Sequence, residues 1–242
     1  MREVIKKEFN GYLHSFIAYV VIAVFLVGIG LLMWVFPETS VLDYGYADMD
    51  TLFSLGPYVF IFLIPAITMK SFAEEKKMGT LEVLLTKPLT DWEIVIGKYL
   101  ACFLLVCFSV APSLVYYFSL HALGSPVGNL DTPGIIGSYF GLVLLAGVFS
   151  SVGVFSSALT ANQIVSFIVA GFLCMLIYAG FDSISSLISE GHLALAVKQL
   201  GVLYHYDALS KGLIDSRNLV YFISVIGLML LATKTLLGSR QW

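Results

Sequence analysis

The chain has 242 residues, of which 59% are hydrophobic and 12% charged, with a net charge of −3 and a mean hydropathy of +0.92. Soluble domains average about 45–50% apolar and about 25% charged residues. This composition excludes an ordinary soluble domain and predicts an integral membrane protein. The three cysteines, Cys102, Cys107 and Cys174, lie inside apolar runs, so they predict neither a disulfide framework nor a metal site.

Residues 1–16 carry apolar side chains at helical spacing, with basic and polar side chains on the other side of the same helix. This pattern predicts a short amphipathic helix that lies flat on the inner membrane surface, the alternative being a frayed basic tail. The 22 uncharged residues from Ser15 to Phe36 follow. They exceed the roughly 7–15 apolar residues of a signal peptide and can cross a hydrocarbon core of about 30 Å. They predict a first transmembrane helix.

Six stretches are apolar and long enough to cross a bilayer, and each must be helical because lipid offers no partner for free backbone groups. The predicted fold is an all-α integral membrane protein, a single domain over residues 1–242, with transmembrane helices at about 15–36, 52–72, 94–120, 134–158, 163–182 and 218–238. Thr90 and Glu93 have the spacing of a capping box ahead of the third span. Thr132 followed by Pro133 predicts the cap of the fourth.

The densest charge cluster of the chain lies in the loop at residues 73–89, between the second and third spans. Met78, Leu81 and Leu85 share one face of a predicted short helix here, whereas Glu75 and Glu82 fall elsewhere. Such a helix, held between two spans, is suited to dock into a groove on a soluble partner. An ordinary solvated loop is the alternative.

The spans themselves exclude several classes of function. Their middles hold no Asp, Glu, Lys, Arg or His, whereas ion-coupled carriers usually have an ionisable or coordinating group near the midplane. Lys98 lies near a span end, where its stem can extend and bring the ammonium to water. The serines of the fourth span (Ser150, Ser151, Ser156 and Ser157) lack a histidine at comparable depth, so they predict close helix packing rather than a hydrolase. No P-loop sequence occurs.

Residues 183–217, between the fifth and sixth spans, are long enough for one or two helices at the outer interface. Tyr204 and Tyr206 are expected at the level of the lipid head groups, and a simple interfacial loop is the alternative. With the N-terminus in the cytoplasm, the cytoplasmic segments hold 10 of the 13 basic residues. The positive-inside rule favours this orientation, which also places the C-terminus in the cytoplasm.

Residues 62–70, 73–77 and 79–85 closely resemble the signature of ABC-2-type permeases, most of all the gliding-motility-associated (GldF-type) subgroup. Residues 7–20, 206–215 and 219–222, with Arg240 and Trp242 at the end of the chain, are similar to that subgroup as well. The match departs at Phe16, where the pattern has a proline-containing start of the first span.

The resemblance implies that residues 73–89 are a coupling helix, which seats in a cleft of a cytoplasmic ABC ATPase subunit. The residues expected to make this contact are Glu74, Glu75, Lys76, Lys77, Gly79, Thr80, Leu81, Glu82, Leu84 and Leu85. The charged members would form ion pairs, Gly79 would allow close approach, and the leucines would be apolar anchors. The resemblance implies no catalytic residue, cofactor or metal on this chain, because ATP and Mg²⁺ are bound by the ATPase.

The implied assembly is a transporter of the bacterial inner membrane with two permease domains. The partner would be a second copy of this chain or a related membrane subunit with a periplasmic domain, and nucleic acid is not expected. The implied function is to couple ATP hydrolysis to export or to mechanical work. A non-transporting membrane anchor of a motility or envelope complex stays open, and the loop argues against a channel that works without ATP.

Overall fold

The structure, a computed structural model, describes residues 1–85, 88–188 and 191–239, and the side chains of Ile17, Tyr44, Val83, Leu84 and Leu85 lie outside this description. The described residues form helices and loops, without a strand. The helices are α1 (Arg2–Leu13), α2 (Phe16–Trp34), α3 (Val41–Tyr44), α4 (Asp50–Thr68), α5 (Ala73–Lys77), α6 (Thr80–Leu85), α7 (Asp91–Val110), α8 (Leu114–Leu123), α9 (Thr132–Leu159), α10 (Gln163–Met175), α11 (Phe181–Ser185), α12 (Gly191–Gln199), α13 (Val202–Leu209) and α14 (Ser216–Gly238). A 3-10 turn at Ala111–Ser113 joins α7 to α8, and a π-helical turn at Leu176–Gly180 joins α10 to α11.

Within the described ranges, five helical stretches are long and apolar enough to cross a membrane: Asp50–Lys77, Asp91–Leu123, Thr132–Leu159, Gln163–Ser185 and Ser216–Gly238. A sixth results if α1 and α2, which meet at a bend of 66°, count as one broken span. The prediction of an all-helical membrane protein is therefore confirmed. The stretch Asp50–Lys77 runs through α4 into α5, so the second span leads directly into the predicted coupling segment.

The helix α9 lies at the centre of the bundle. In its most apolar stretch 78% of the residues are buried, compared with 22% for the span that contains α10 and 17% for α14. Small residues let neighbouring helices approach it closely, with Gly141 against Leu209 of α13 and Gly153 against Thr68 of α4. The close packing predicted for the fourth span is confirmed, and the outward faces of α10 and α14 are left for lipid or another membrane subunit.

Two predicted helix starts have different outcomes. The capping box is confirmed, because Thr90 Oγ1 accepts the backbone N–H of Glu93 at 3.3 Å and Glu93 Oε2 accepts that of Thr90 at 3.0 Å. The predicted cap Thr132 is wrong. The cap is Asp131, whose carboxylate accepts a backbone N–H of the first turn at 3.2 Å. The Thr132 hydroxyl is 3.0 Å from that of Tyr117 and so is held by another helix.

The helices α12 and α13 lie in the predicted outer segment, and α13 folds back onto the start of α4. Tyr206 is 2% exposed, and its hydroxyl donates to the backbone carbonyl of Phe53 at 2.7 Å. That carbonyl lacks its usual helical donor, because Pro57, four residues on, has no N–H. Burial raises the pKa of the Tyr206 phenol well above its usual value, so the hydroxyl keeps the proton that it donates. Tyr206 is therefore enclosed by the protein, and its position at the level of the head groups stays a prediction.

Replacing Tyr206 with phenylalanine should lower the free energy of unfolding by about 1–3 kcal/mol, because the Phe53 carbonyl then has no donor. The loss should be smaller in a Pro57→Ala background, where the alanine N–H can reach the same carbonyl. Thermal unfolding of the wild type, both single variants and the double variant in detergent measures this coupling. Equal losses in the two backgrounds would contradict this account of Tyr206.

Candidate functional site

The predicted coupling segment consists of two short helices, α5 and α6. Gly79 separates them with a backbone φ of +68°, a left-handed conformation that other residues rarely adopt. Just before it, the N–H of Met78 donates to the carbonyl of Glu74 at 3.0 Å, which ends α5. The prediction of one helix with Met78 and Leu81 on a shared face is therefore wrong: Met78 is 60% exposed and Leu81 only 2%.

The start of α5 is fastened to the end of α9. Ser157 Oγ accepts the backbone N–H groups of Phe72 at 2.9 Å and Ala73 at 3.1 Å, and it donates to the carbonyl of Met69 at 3.0 Å. The first N–H groups of a helix have no partner within that helix, so Ser157 acts as a cap supplied by another span. Lys76 adds a second connection, because its ammonium donates to the carbonyl of Ala158.

A buried lysine joins α5 to α1 and α7. Lys98 of α7 is 1% exposed, and its ammonium lies 3.0 Å from Glu75 Oε1 of α5 and 3.2 Å from Glu8 Oε1 of α1. It also donates to the carbonyl of Ser71 at 2.7 Å. The prediction that Lys98 extends to water is wrong, because these acceptors hold its ammonium inside the protein. The ion pair with Glu8 joins residues 90 positions apart.

A second polar cluster lies beside this ion pair. The Tyr12 hydroxyl is 3.2 Å from Ser71 Oγ and 3.3 Å from Cys102 Sγ, and the latter two atoms are 3.2 Å apart. These side chains come from α1, the turn before α5, and α7. A cleft of about 320 Å³ opens between α1 and α5 next to both clusters. We call this end of the bundle the α5 end, and the end that carries α12 and α13 the α13 end.

The residues predicted to contact an ATPase fall into three groups. The exposed group is Lys77, Gly79, Thr80 and Glu82. The half-buried group is Glu74, Glu75 and Lys76, of which Glu75 and Lys76 have partners within the bundle. Leu81 is buried, and the side chains of Leu84 and Leu85 lie outside the described part. We call the exposed group together with Met78 the exposed turn.

Three residues of this site were not found by sequence reasoning: Glu8, Lys98 as a buried group, and Ser157. The sequence feature that could have pointed to Lys98 is a lysine one turn inside an apolar span. For Ser157, it is the serine pair at the end of the fourth span. Neither signal names a partner, because every partner lies on a distant part of the chain.

At the α13 end, a cleft of about 1120 Å³ lies among polar and charged side chains. His205 of α13 connects its neighbours there, with Nδ1 2.8 Å from Asn218 Oδ1 and Nε2 3.0 Å from the carbonyl of Gln199. Lys198 pairs with Asp182 at 2.9 Å, and this hydrogen bond raises the pKa of the lysine. In the part of the chain that the structure describes, no three His, Cys, Asp or Glu side chains are grouped as metal ligands.

Comparison with known proteins decides the family. A family described as "ABC-2 family transporter protein" matches residues 3–238. The chain belongs to the ABC-2 transporter family. A search of curated proteins gives no significant match. As an ABC-2 protein, the chain is a membrane permease subunit rather than the catalytic one, and its family implies an ABC ATPase as partner. The resemblance seen in residues 62–85 is thus confirmed at the level of the family, whereas the gliding-motility subgroup stays a prediction.

Proposed function

We propose that this ABC-2 chain couples ATP hydrolysis on a separate cytoplasmic ATPase to export, or to mechanical work, across a bacterial inner membrane. The observation that carries the proposal is an exposed turn on a fixed base. The turn is exposed, while Glu75 of α5 behind it pairs with Lys98 of α7 and with Lys7 of α1, and the first N–H of α5 is accepted by Ser157 of α9. A force applied at the turn is therefore applied to three elements of the membrane domain.

The exposed turn has the composition of a small docking surface. Met78 is 60% exposed and supplies an adaptable apolar side chain. Lys77 and Glu82 place opposite charges beside it, and such charges at an interface rim steer a partner and fix its register. Leu81 is buried, so its packing inside the protein helps to fix the turn. Any ATP and Mg²⁺ would be bound by the ATPase, and this chain needs no cofactor of its own.

The proposed assembly contains a second permease domain. The outward faces of α10 and α14 support this proposal, since most residues in the apolar stretches of their spans are not buried within one chain. The second domain would be another copy or a related subunit with a periplasmic domain, and both termini of this chain would be cytoplasmic. A membrane anchor that transmits force without moving a substrate would use the same exposed turn.

Affinity purification of the tagged protein from native membranes in a mild detergent tests the proposal. We expect a soluble P-loop ATPase to be recovered, together with any second membrane subunit. Recovery of the protein without an ATPase under several detergent and nucleotide conditions would refute the coupling function. Transport assays on the recovered complex then separate export from the anchor alternative.

Reversing the charge of Lys77 should reduce ATPase recovery about tenfold, which corresponds to about 1.4 kcal/mol of binding free energy. The matched control is Arg217→Glu, an equal charge reversal at an exposed residue of the α13 end. Glu82→Lys should act in the same direction as Lys77→Glu. If Lys77→Glu and Arg217→Glu recover equal amounts of ATPase, the exposed turn is not the docking surface.

A further inference from the structure

The buried ammonium of Lys98 has one acceptor for each of its N–H donors. An ammonium has three N–H donors, and the three acceptors around it are Glu75 Oε1 at 3.0 Å, Glu8 Oε1 at 3.2 Å and the Ser71 carbonyl at 2.7 Å. The ring of Phe72 lies under the same nitrogen, 5.1 Å away at its centroid. A lone charge inside a protein is strongly unfavourable unless it is paired and hydrogen-bonded in this way.

The acceptors come from separate elements. Glu8 lies on α1, Glu75 on α5 and Ser71 in the turn before α5, while Lys98 itself lies on α7. A shift of any one of these elements relative to the others would leave a buried charge with fewer partners. The arrangement therefore resists relative movement of α1, α5 and α7 more strongly than apolar contacts of the same area would.

A different contact also joins α1 to α7. A Cβ placed on Gly97 of α7 would lie 2.8 Å from Cγ1 of Val4. The two helices are therefore in close contact at Val4, one turn before Glu8 along α1. Tyr12, at the other end of α1, contacts Cys102 of α7 at 3.3 Å. The N-terminal helix is therefore held along its length on the start of the third span.

We infer that Lys98 is a positioning residue of the coupling segment, and that it locks α5, α7 and the N-terminal helix α1 into one body. Movement of an ATPase at the exposed turn then reaches the helix α2, which follows α1, and α7 at the same time. This inference rests on the proposed function for its source of movement, but the lock itself is a property of this chain alone.

Hydrogen–deuterium exchange on the purified protein tests the lock without any partner. In Lys98→Met we expect amide exchange in residues 2–13 and 73–85 to rise about tenfold, because the one anchor that both segments share is lost. Lys98→Arg, which keeps the charge, should exchange more slowly than Lys98→Met. The control Lys6→Met removes an exposed lysine of α1 and should match the wild type. Unchanged exchange in Lys98→Met would overturn the inference.

A second variant covers the case in which Lys98→Met fails to fold. Glu8→Gln leaves the pairs of Glu75 with Lys98 and with Lys7 of α1 in place, and it weakens the link between Lys98 and α1. Exchange should then rise in residues 2–13 and change little in residues 73–85. An equal rise in both segments would show that α1 and α5 are not fixed through separate bonds to Lys98, and would overturn the lock as described.

The same measurement on the complex recovered with its ATPase, with and without ATP and vanadate, tests transmission. We expect nucleotide to alter exchange in α2 and α7 of the wild type, and this response to be lost in Lys98→Met although the ATPase still co-purifies. A response that persists in Lys98→Met, or is absent in the wild type, overturns the coupling role. Failure to recover any ATPase refutes the proposed function instead, and the exchange of the chain alone still decides the lock.

Discussion

A Gly153→Ala variant should unfold at a clearly lower temperature than the wild type. A Cβ at Gly153 would lie 2.0 Å from Oγ1 and 2.7 Å from Cβ of Thr68. Thr68 is fully buried, and its hydroxyl donates to the carbonyl of Ile64 at 3.0 Å, so it cannot turn aside without losing that bond. The added methyl must push α4 away from α9, and overpacking of this kind costs about 1–3 kcal/mol, occasionally more.

Gly28→Ala is the matched control, because a Cβ at Gly28 would have no atom within 4 Å. Alanine is favoured over glycine inside a helix by about 1 kcal/mol, so this variant should be as stable as the wild type or slightly more stable. Thermal unfolding of both variants in the same detergent makes the comparison. If Gly153→Ala and Gly28→Ala unfold at the same temperature, α4 and α9 are not packed at van der Waals distance.

The features that could be predicted from the sequence are those set by neighbouring residues. The capping box at Thr90 and Glu93 depends on a spacing of three residues, and it forms as expected. Apolar length likewise predicts helices that can cross a membrane, and five or six such helices are present in the described residues. The break at Gly79 was also within reach of the sequence, since Gly79 comes two residues after a charged run and a glycine just past the last helical residue is a common helix end. The spacing of Met78, Leu81 and Leu85 predicts a single helix here instead.

The features that could not be predicted depend on contacts between distant residues. Thr132 has the chemistry of a cap, but its hydroxyl is taken by Tyr117, and Asp131 does the capping. Hydropathy places a lysine near a span end in water, whereas Lys98 has acceptors that only the tertiary fold brings together. Nothing local in the sequence pairs Tyr206 with a carbonyl 153 positions away. Such partners need the packing of whole helices to be known.

Replacing Ser157 with alanine should loosen the coupling segment while leaving the rest of the bundle in place. The substitution removes one acceptor shared by the N–H groups of Phe72 and Ala73, and one donor to Met69. Each buried donor left without an acceptor costs about 1–3 kcal/mol. These N–H groups lie at the start of α5, so their loss of an acceptor destabilises α5 itself. Trypsin should therefore cleave the folded Ser157→Ala protein after Lys76 and Lys77 faster than it cleaves the wild type.

Ser156→Ala is the control for this prediction, because Ser156 is equally buried and, among the described residues, its hydroxyl bonds only to the carbonyl of Val152, within α9. Equal cleavage rates in the two variants would mean that Ser157 does not hold α5. Under the proposed function, Ser157→Ala should also recover less ATPase than Ser156→Ala, although both keep every residue of the exposed turn. A loosened turn must be ordered when the partner binds, and that loss of entropy weakens docking without removing a single contact.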